Sequence, residues 1–367
     1  MRIILTGGGT GGHVYPALAM ARYIKNIEPE SDIMFVGTRK GMESSIVPLS
    51  GFPLETITVS GLPRKLSPQL FKTFADLTRG GWEARNVLRK FRPEVVMGTG
   101  GYVCGPVVLW ASLLGIPTLI HEQNVVPGVT NKILSKFASK VCLSFGASKK
   151  YFKNSGKTEV TGNPRASEVM GCTRKEGIKY LGLNPNKATV LIVGGSRGAE
   201  VINQNALKML PYLKKLSKAQ FVYVTGQGYY DRVVESVKKT GGNGLNNIII
   251  KPYLEEMPLA LSAADLIISR AGATTLAEIT VLGIPSILIP SPNVTNNHQY
   301  LNAQVLSEAG AAELINEKDL TPSLLRDKIS GLIENKKVLY EMSLCTERLS
   351  YPDSSRTIFR LLKDIIR

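Results

Sequence analysis

Cysteine and histidine are scarce in this chain, and the way they are scattered excludes several chemistries. The four cysteines, Cys104, Cys142, Cys172 and Cys345, lie far apart with no C-x-x-C pair and no histidine beside them, so neither a disulfide framework nor a zinc site is indicated. No two aspartates are spaced D-x-D and no His or Cys cluster has ligand spacing, so no metal is expected. Long apolar runs are also missing. The longest, Pro106 to Ile120, is broken by Ser112, Gly115 and Pro117 and falls short of the roughly 20 residues that span a bilayer. It reads as a buried helix followed by a buried strand. The opening Met1-Arg2-Ile3-Ile4-Leu5-Thr6-Gly7 has too few apolar residues for a signal-peptide core, which gives the expectation of a cytosolic chain. With 43% apolar and 20% charged residues and no biased tracts, disordered and low-complexity classes are excluded.

Acidic residues are outnumbered: 45 Lys and Arg face 29 Asp and Glu, a net charge of +16. Residues 1–163 carry +10 of it. Such an excess predicts a polyanionic partner, whether nucleic acid, an anionic membrane or phosphorylated substrates. Nucleic acid is disfavoured, because no RNA- or DNA-reading motif accompanies the basic stretches.

A length of 367 residues suggests two domains. Each half opens in the same way. Arg2 to Thr6 reads as a strand, Gly7 to Gly12 as a glycine loop and His13 to Ile24 as a helix; Thr189 to Val193, Gly194 to Ala199 and Glu200 to Leu210 repeat the order. Leu114-Gly115-Ile116-Pro117 is echoed by Leu282-Gly283-Ile284-Pro285, each ending a helix ahead of an apolar strand. Further apolar runs at 32–36, 95–97, 140–143, 221–224, 248–250 and 266–268 lack alternation, which favours parallel sheets covered on both faces. The expected boundary lies near Gly162-Asn163-Pro164, and the last helix, Ser354 to Ile366, is free to pack on either domain.

Open α/β sheets bind ligands at the carboxyl ends of their strands, where loop amides and helix N-termini attract anions. Neither glycine loop has the lysine and hydroxyl of a P-loop. Gly7 to Gly12 matches G-x-G-x-x-G, but the ribose-binding acid of a dinucleotide site would have to be Glu28 or Glu30, beside Pro29, so generic phosphate binding is favoured. His13 begins the first helix, where the dipole favours a neutral, proton-accepting imidazole, although a merely structural cap has the same spacing. His121-Glu122-Gln123-Asn124 places four polar side chains after a buried strand. Glu278, on the helix after Ser269 to Thr275, is either a ligand for two ribose hydroxyls or part of a solvated helix face.

These motifs, with Gly100-Gly101-Tyr102, Gly162-Asn163-Pro164, Gly194-Gly195-Ser196, His298-Gln299 and Asn302-Ala303, occur in an order that closely resembles the MurG family of bacterial N-acetylglucosaminyltransferases, which act in peptidoglycan synthesis. The resemblance runs from the first strand to the final helices. It implies an α/β fold of two Rossmann-like domains facing across a cleft, the GT-B type. Residues 1–163 would face acceptor and membrane, with the final helix, about 353–367, able to pack back on them, and residues 164–352 would bind UDP-N-acetylglucosamine. The implied reaction is inverting transfer of N-acetylglucosamine to the C4 hydroxyl of MurNAc in lipid I, undecaprenyl-pyrophosphoryl-MurNAc-pentapeptide, giving lipid II and UDP with no cofactor.

By residue match, the resemblance implies that Ser196, the backbone at Leu254, Ala273, Thr274, Thr275, Leu276, Glu278 and Gln299 hold the donor, with Glu278 on the ribose. Thr10, Gly11, Gly12 and Asn124 would face the transferred sugar and acceptor, and Tyr102, Asn131 and Asn302 are further substrate-binding candidates. Two departures stand out. Arg165, kept as a substrate-binding candidate, directly follows Pro164 where relatives often insert one residue, and Ala271-Gly272-Ala273 replaces the common S-G-A.

The expected mechanism is direct displacement, with His13 as first and Glu122 as second choice of base, and the second glycine loop and its helix taking the charge of departing UDP. Residues 64–92 hold eight Lys and Arg against Asp76 and Glu83, with Leu66, Leu70, Phe74 and Leu77 at helical spacing and Phe71 and Trp82 adding bulk. That composition suits an interfacial helix on an anionic leaflet, and equally a core-facing stripe with a solvated basic face. The lipid acceptor implied by the resemblance places the chain peripherally on the cytoplasmic face of the bacterial membrane. A sugar-nucleotide epimerase on the same architecture and a non-enzymatic UDP-sugar scaffold remain as alternative readings.

Overall fold

Apolar runs without alternation become parallel strands sandwiched between helices, because both faces of each strand must find cover. A computed structural model describes residues 1–61, 69–153, 155–195, 198–213, 216–239 and 247–366. The chain forms two units, Met1–Ser167 with Asp353–Arg367, and Glu168–Pro352.

The first unit holds strands β1 (Arg2–Gly7), β2 (Asp32–Gly37), β3 (Leu54–Thr56), β4 (Val95–Gly100), β5 (Thr118–Glu122), β6 (Lys140–Leu143) and β7 (Thr158–Val160). They form one parallel sheet in the order β3-β2-β1-β4-β5-β6-β7. The second unit holds β8 (Ala188–Val193), β9 (Ala219–Val224), β10 (Ile248–Lys251), β11 (Leu266–Ser269), β12 (Ser286–Leu288) and β13 (Ala312–Leu314), also all parallel, in the order β10-β9-β8-β11-β12-β13. Strand order reverses between β1 and β4 in one sheet and between β8 and β11 in the other. At such a reversal the flanking loops splay apart and leave a crevice at the carboxyl edge.

Alternate residues of β1 serve opposite layers. Ile3 and Leu5 pack with Val14, Leu18 and Ala21 of the first helix, Gly11–Ile27, whereas Ile4 packs with Leu88, Val107 and Val108. The final helix, Ser354–Ile366, joins the first of these layers through Ile358, Leu361 and Leu362, and Phe359 meets the Tyr23 ring edge-on at 5.9 Å. Ser355 explains where the units divide. Its hydroxyl donates to the Pro164 carbonyl at 3.1 Å and its amide to the Ser167 hydroxyl at 3.2 Å, which keeps residues 164–167 with the first unit, slightly beyond the 163/164 boundary expected from sequence.

Ile358 is fully buried beneath β1 and the first helix. Truncating it leaves a cavity that costs about 2–5 kcal/mol. Ile358→Ala is therefore expected to speed amide exchange in β1 and in Gly11–Ile27, with exchange in β8 to β13 unchanged; equal acceleration in both units would contradict this packing.

Candidate active site

The carboxyl edge of the first sheet is shaped by glycines. Gly100 and Gly101 have φ of 112° and 84°, values that L side chains rarely adopt. A Cβ at Gly100 would lie 2.7 Å from the His13 Nδ1 atom, and one at Gly101 would strike the Gly8 carbonyl. The Gly8 amide donates to the Gly100 carbonyl at 3.2 Å, so the first glycine loop lies flat on the end of β4. Beneath the loop, buried Glu43 accepts from the Gly9 amide at 2.9 Å, the Thr38 amide at 2.9 Å and the Thr38 hydroxyl at 2.7 Å. Sequence reasoning passed over Glu43, since its partner Gly9 is 34 positions away.

The helix that leaves this loop is uncapped. Thr10 at its N-cap makes no side-chain bond and no acidic residue lies in its first turn. Among the described residues the Gly11 and Gly12 amides have no acceptor, and Thr10 and Gly12 are exposed. Some helices elsewhere are finished differently: Arg174–Leu181 has a full capping box from Thr173 and Glu176, and Pro322–Glu334 is capped by Thr321, whereas Cys104–Leu113, Val129–Leu134, Met257–Ser262 and His298–Glu308 also start without a side-chain cap or a first-turn acid. Bare donors at a helix start attract an anion.

His13 is half-buried, and its ring is oriented by two acceptors. Nδ1 lies 3.0 Å from the Thr99 carbonyl and 3.1 Å from Gln123 Oε1. Both neighbours are oxygens, so Nδ1 carries a proton and donates. Gln123 is in turn fixed by its own donors. Its Nε2 donates to the Thr99 carbonyl at 2.8 Å and lies 3.0 Å from His121 Nδ1 and 3.1 Å from the His121 carbonyl. His121 donates from Nε2 to the Gly162 carbonyl at 2.9 Å. Burial pushes the His121 imidazole down to about 4, against the pull of that Gly162 bond and with a smaller push in the same direction from nearby His13.

Glu122, the second choice of base, is committed elsewhere. It is 1% exposed; one oxygen accepts from the Asn124 amide at 2.9 Å and the other from the Gly128 amide at 3.1 Å and Asn131 Nδ2 at 2.8 Å. These bonds, with Asn124 Nδ2 3.4 Å from the first oxygen, clasp the 124–131 loop and occupy both carboxylate oxygens. His121 and Glu122 belong to β5 itself, two residues further along than the expected strand end. Asn131 also donates to the His121 carbonyl at 3.1 Å, and its buried Oδ1 has no partner among the described residues. Asn124 is half-buried, its carbonyl taking the Ser148 hydroxyl at 3.0 Å. Tyr102 is exposed, with its ring against Gly61. Arg165 lies in the first unit with its guanidinium over Tyr15 at 5.7 Å.

In the second unit, Ser196 of the glycine loop lies outside the described residues. The helix that follows, Glu200–Leu213, opens with an acid, so it is a poorer anion end than expected. Ala273–Val281 is the better one: Gly272 stands at its N-cap without a side-chain bond, its first turn holds no acid, and the buried Thr274 hydroxyl has no partner among the described residues. This helix carries Ala273, Thr274, Thr275, Leu276 and Glu278, the last buried. Leu254, Ala273 and Leu276 are buried too. The turn before the helix is held from two sides. Asn302 Nδ2 donates to the Ala271 carbonyl at 3.3 Å; Arg270 donates to the Ile289 carbonyl at 3.0 Å and pairs with Glu317. Gln299 accepts the Ser291 amide at 2.9 Å through Oε1.

Residues 3–143 match the glycosyltransferase family 28 N-terminal domain and residues 189–358 match its C-terminal domain. The UDP-N-acetylglucosamine--N-acetylmuramyl-(pentapeptide) pyrophosphoryl-undecaprenol N-acetylglucosamine transferase of Bacillus cytotoxicus is 47% identical over 367 residues, covering all of both chains. The chain belongs to glycosyltransferase family 28 and, within it, to the MurG family. The transferase of the same name from Thermoanaerobacter sp. (strain X514) is 50% identical over 366 residues, again covering both chains in full. The crystal structure of Acinetobacter baumannii MurG superposes with a TM-score of 0.76 at 31% identity, covering 99% of each chain. Two parallel-sheet α/β domains of the GT-B kind are thus common to this family and this chain. The UDP-GlcNAc 2-epimerase of Neisseria meningitidis, bound to UDP-GlcNAc, covers 99% of this chain and 100% of its own with a TM-score of 0.70, but at 16% identity it shares the fold alone.

The buried His121 gives the first unit a pH signature. An unfolded histidine titrates near 6.5, so between that pH and about 4 the unfolded chain binds a proton that the folded chain refuses. Stability is complete above about 6.5, falls by about 3 kcal/mol as the pH drops to about 4, and levels off below. Urea midpoints between pH 7.5 and 4.5 check this: His121→Gln should flatten the decline, and an unchanged slope would show that another group causes it.

Proposed function

We infer that this chain transfers N-acetylglucosamine from UDP-N-acetylglucosamine to the C4 hydroxyl of MurNAc in lipid I, with inversion, yielding lipid II and UDP. The observation that carries this reading is full-length identity of 47% and 50% to transferases of that name, joined to a histidine oriented by Thr99 and Gln123 and to uncapped helix starts at the carboxyl edges of both sheets. In the reaction, His13 Nε2 takes the proton of the acceptor hydroxyl as its oxygen bonds to the anomeric carbon. The bond from that carbon to the β-phosphate oxygen breaks, and UDP leaves with the electron pair. Amides at the start of Ala273–Val281 meet the charge on the departing phosphate, and Glu278 takes the ribose hydroxyls. Thr10, Gly11 and Gly12 meet the acceptor, with the bare amides of the first helix suited to its pyrophosphate. Asn124, Tyr102, Arg165 and Gln299 complete the substrate contacts, and Asn302, wholly buried, acts by holding the Ala271 turn.

The lipid acceptor brings the chain to a membrane, and we place it peripherally on the cytoplasmic face. Among the described residues no helix is long and apolar enough to cross a bilayer. Of the basic stretch at 64–92, residues 64–68 lie outside the described residues; the rest includes the helix Gln69–Phe91. Ala84, Leu88 and Phe91 turn into the core, while Leu77 and Trp82 are 42% and 60% exposed. Trp82 leans on Trp110 at 6.4 Å, and Arg85 lies over both rings at 5.3 and 5.7 Å. Exposed aromatic and aliphatic side chains amid arginines favour a surface of anionic headgroups over acyl chains.

Two experiments test this reading. Purified protein given UDP-N-acetylglucosamine should release UDP only when a lipid I analogue is present, with chelator having no effect; UDP release or a changed sugar without acceptor would favour an epimerase, and binding without turnover a scaffold. In the same assay His13→Ala is expected to lower kcat by about 100-fold or more with donor KM within a few-fold, and full turnover would remove His13 as the base. Vesicles containing anionic lipid should float the protein at low salt and release it at high salt, and Leu77→Ser with Trp82→Ser should weaken flotation. Flotation that is absent at both salt levels would contradict membrane contact.

A further inference from the structure

Gln123 lies between two histidines and accounts for the orientation of both. Its amide can take only one rotation. Reversing it would set Oε1 against the carbonyls of Thr99 and His121, now 2.8 and 3.1 Å from Nε2, and leave two acceptors facing each other. With the amide as it stands, His121 must present a bare Nδ1 to Gln123, which it does by placing its proton on Nε2 and giving it to the Gly162 carbonyl. His13 must present Nδ1–H to Gln123 Oε1. Every donor in the series therefore points inward, from His13 to Gln123 to His121 to Gly162, and the only acceptor left pointing away from it is His13 Nε2.

We propose that Gln123 is a positioning residue for the base, a neutral amide that holds His13 with Nε2 bare and that is itself held in orientation by the Thr99 and His121 carbonyls and by His121 Nδ1. The proposal rests on the assignment of His13 as base in glycosyl transfer. When Nε2 takes the acceptor proton, the imidazolium keeps Nδ1–H on two neutral oxygens, Thr99 O and Gln123 Oε1. A carboxylate in place of that amide would hold the proton harder and oppose its later release. The position is specific to glutamine: leucine offers no acceptor, and glutamate brings a charge and loses the two N–H donors that His121 and Thr99 require.

The titratable groups around His13 are few and mostly occupied. His121 lies across Gln123. Glu122 is turned to the 124–131 loop, Glu43 lies under the glycine loop and Arg165 lies over Tyr15. The Cys104 thiol donates to the carbonyls of Thr6 and Gly100, and burial pushes it up to about 12. None of these places a charge on Nδ1.

The test uses the intact protein labelled with [15N]histidine. Only three histidines are present, so each ring is assignable by single substitution, and two-bond proton–nitrogen correlations report which nitrogen carries hydrogen. His13 is expected to be protonated at Nδ1 with Nε2 bare, and His121 to be protonated at Nε2 and neutral from pH 8 to 5. Gln123→Glu should raise the His13 titration, and with it the acid limb of kcat/KM, by about one pH unit or more. Gln123→Leu should move the titration the other way and lower kcat by about tenfold or more with donor KM unchanged. A His13 ring protonated at Nε2 in the unaltered protein, or an identical His13 titration in all three proteins, would overturn the proposal. Should the glutamate variant not fold, the unaltered protein and the leucine variant decide. Failure of the unaltered protein to transfer sugar would instead sink the functional reading, while the ring assignments would still judge the role of Gln123.

Discussion

Backbone N–H groups at the start of a helix have no partner within it, and helix starts left bare at the carboxyl edge of a parallel sheet give this chain places to meet an anion. Arg174–Leu181 and Pro322–Glu334 close their first turns with threonine caps. Gly11–Ile27 and Ala273–Val281 have no side-chain cap and no acid in the first turn, and both begin at the carboxyl edge of a parallel sheet beside the point where strand order reverses. An uncapped helix forgoes roughly 1 kcal/mol of stability. Anionic ligands at these two ends would recover it, and each unit therefore has one electrostatic reason to take a phosphorylated sugar.

Keeping those amides bare requires the surrounding loops to be held from below. In the first unit buried carboxylates do this work. Glu43 gathers the Gly9 amide and both donors of Thr38, and Glu122 gathers the amides of Asn124 and Gly128 and the side chain of Asn131. Hydrogen bonds to a charged acceptor are among the stronger ones in a protein, on the order of 1.5–3 kcal/mol each. Glycine supplies the other half of the solution. Only a residue without Cβ lets the end of β4 approach the His13 ring and the first loop as closely as Gly100 and Gly101 do. In the second unit an ion pair, Arg270 with Glu317, and the amide of Asn302 hold the corresponding turn.

Much of the fold was legible in the sequence, because long apolar strands and glycine loops are local signals. The two glycine loops and the paired L-G-I-P turns mark the duplication directly. Two strands escaped, β3 and β13, each three residues long at a sheet edge, where half-burial leaves little apolar pattern to read. The site was legible in its outline and not in its wiring. His13 was marked by its place after the loop, but the partners that orient it, Thr99 and Gln123, are 86 and 110 positions away, and no spacing rule joins them. Glu122 illustrates the converse. A carboxylate beside a histidine in a polar run looks like a base, and only the loop folding back on it shows that both its oxygens are occupied.

The central claim is that the starts of Gly11–Ile27 and Ala273–Val281 divide the substrates, the second unit taking uridine diphosphate. Hydrogen exchange of the intact protein with and without UDP tests it most directly. The account predicts that UDP slows exchange of the amides at 272–278 and near Leu254 and leaves those at 8–13 unchanged. Protection at 8–13 with none at 272–278 would contradict it.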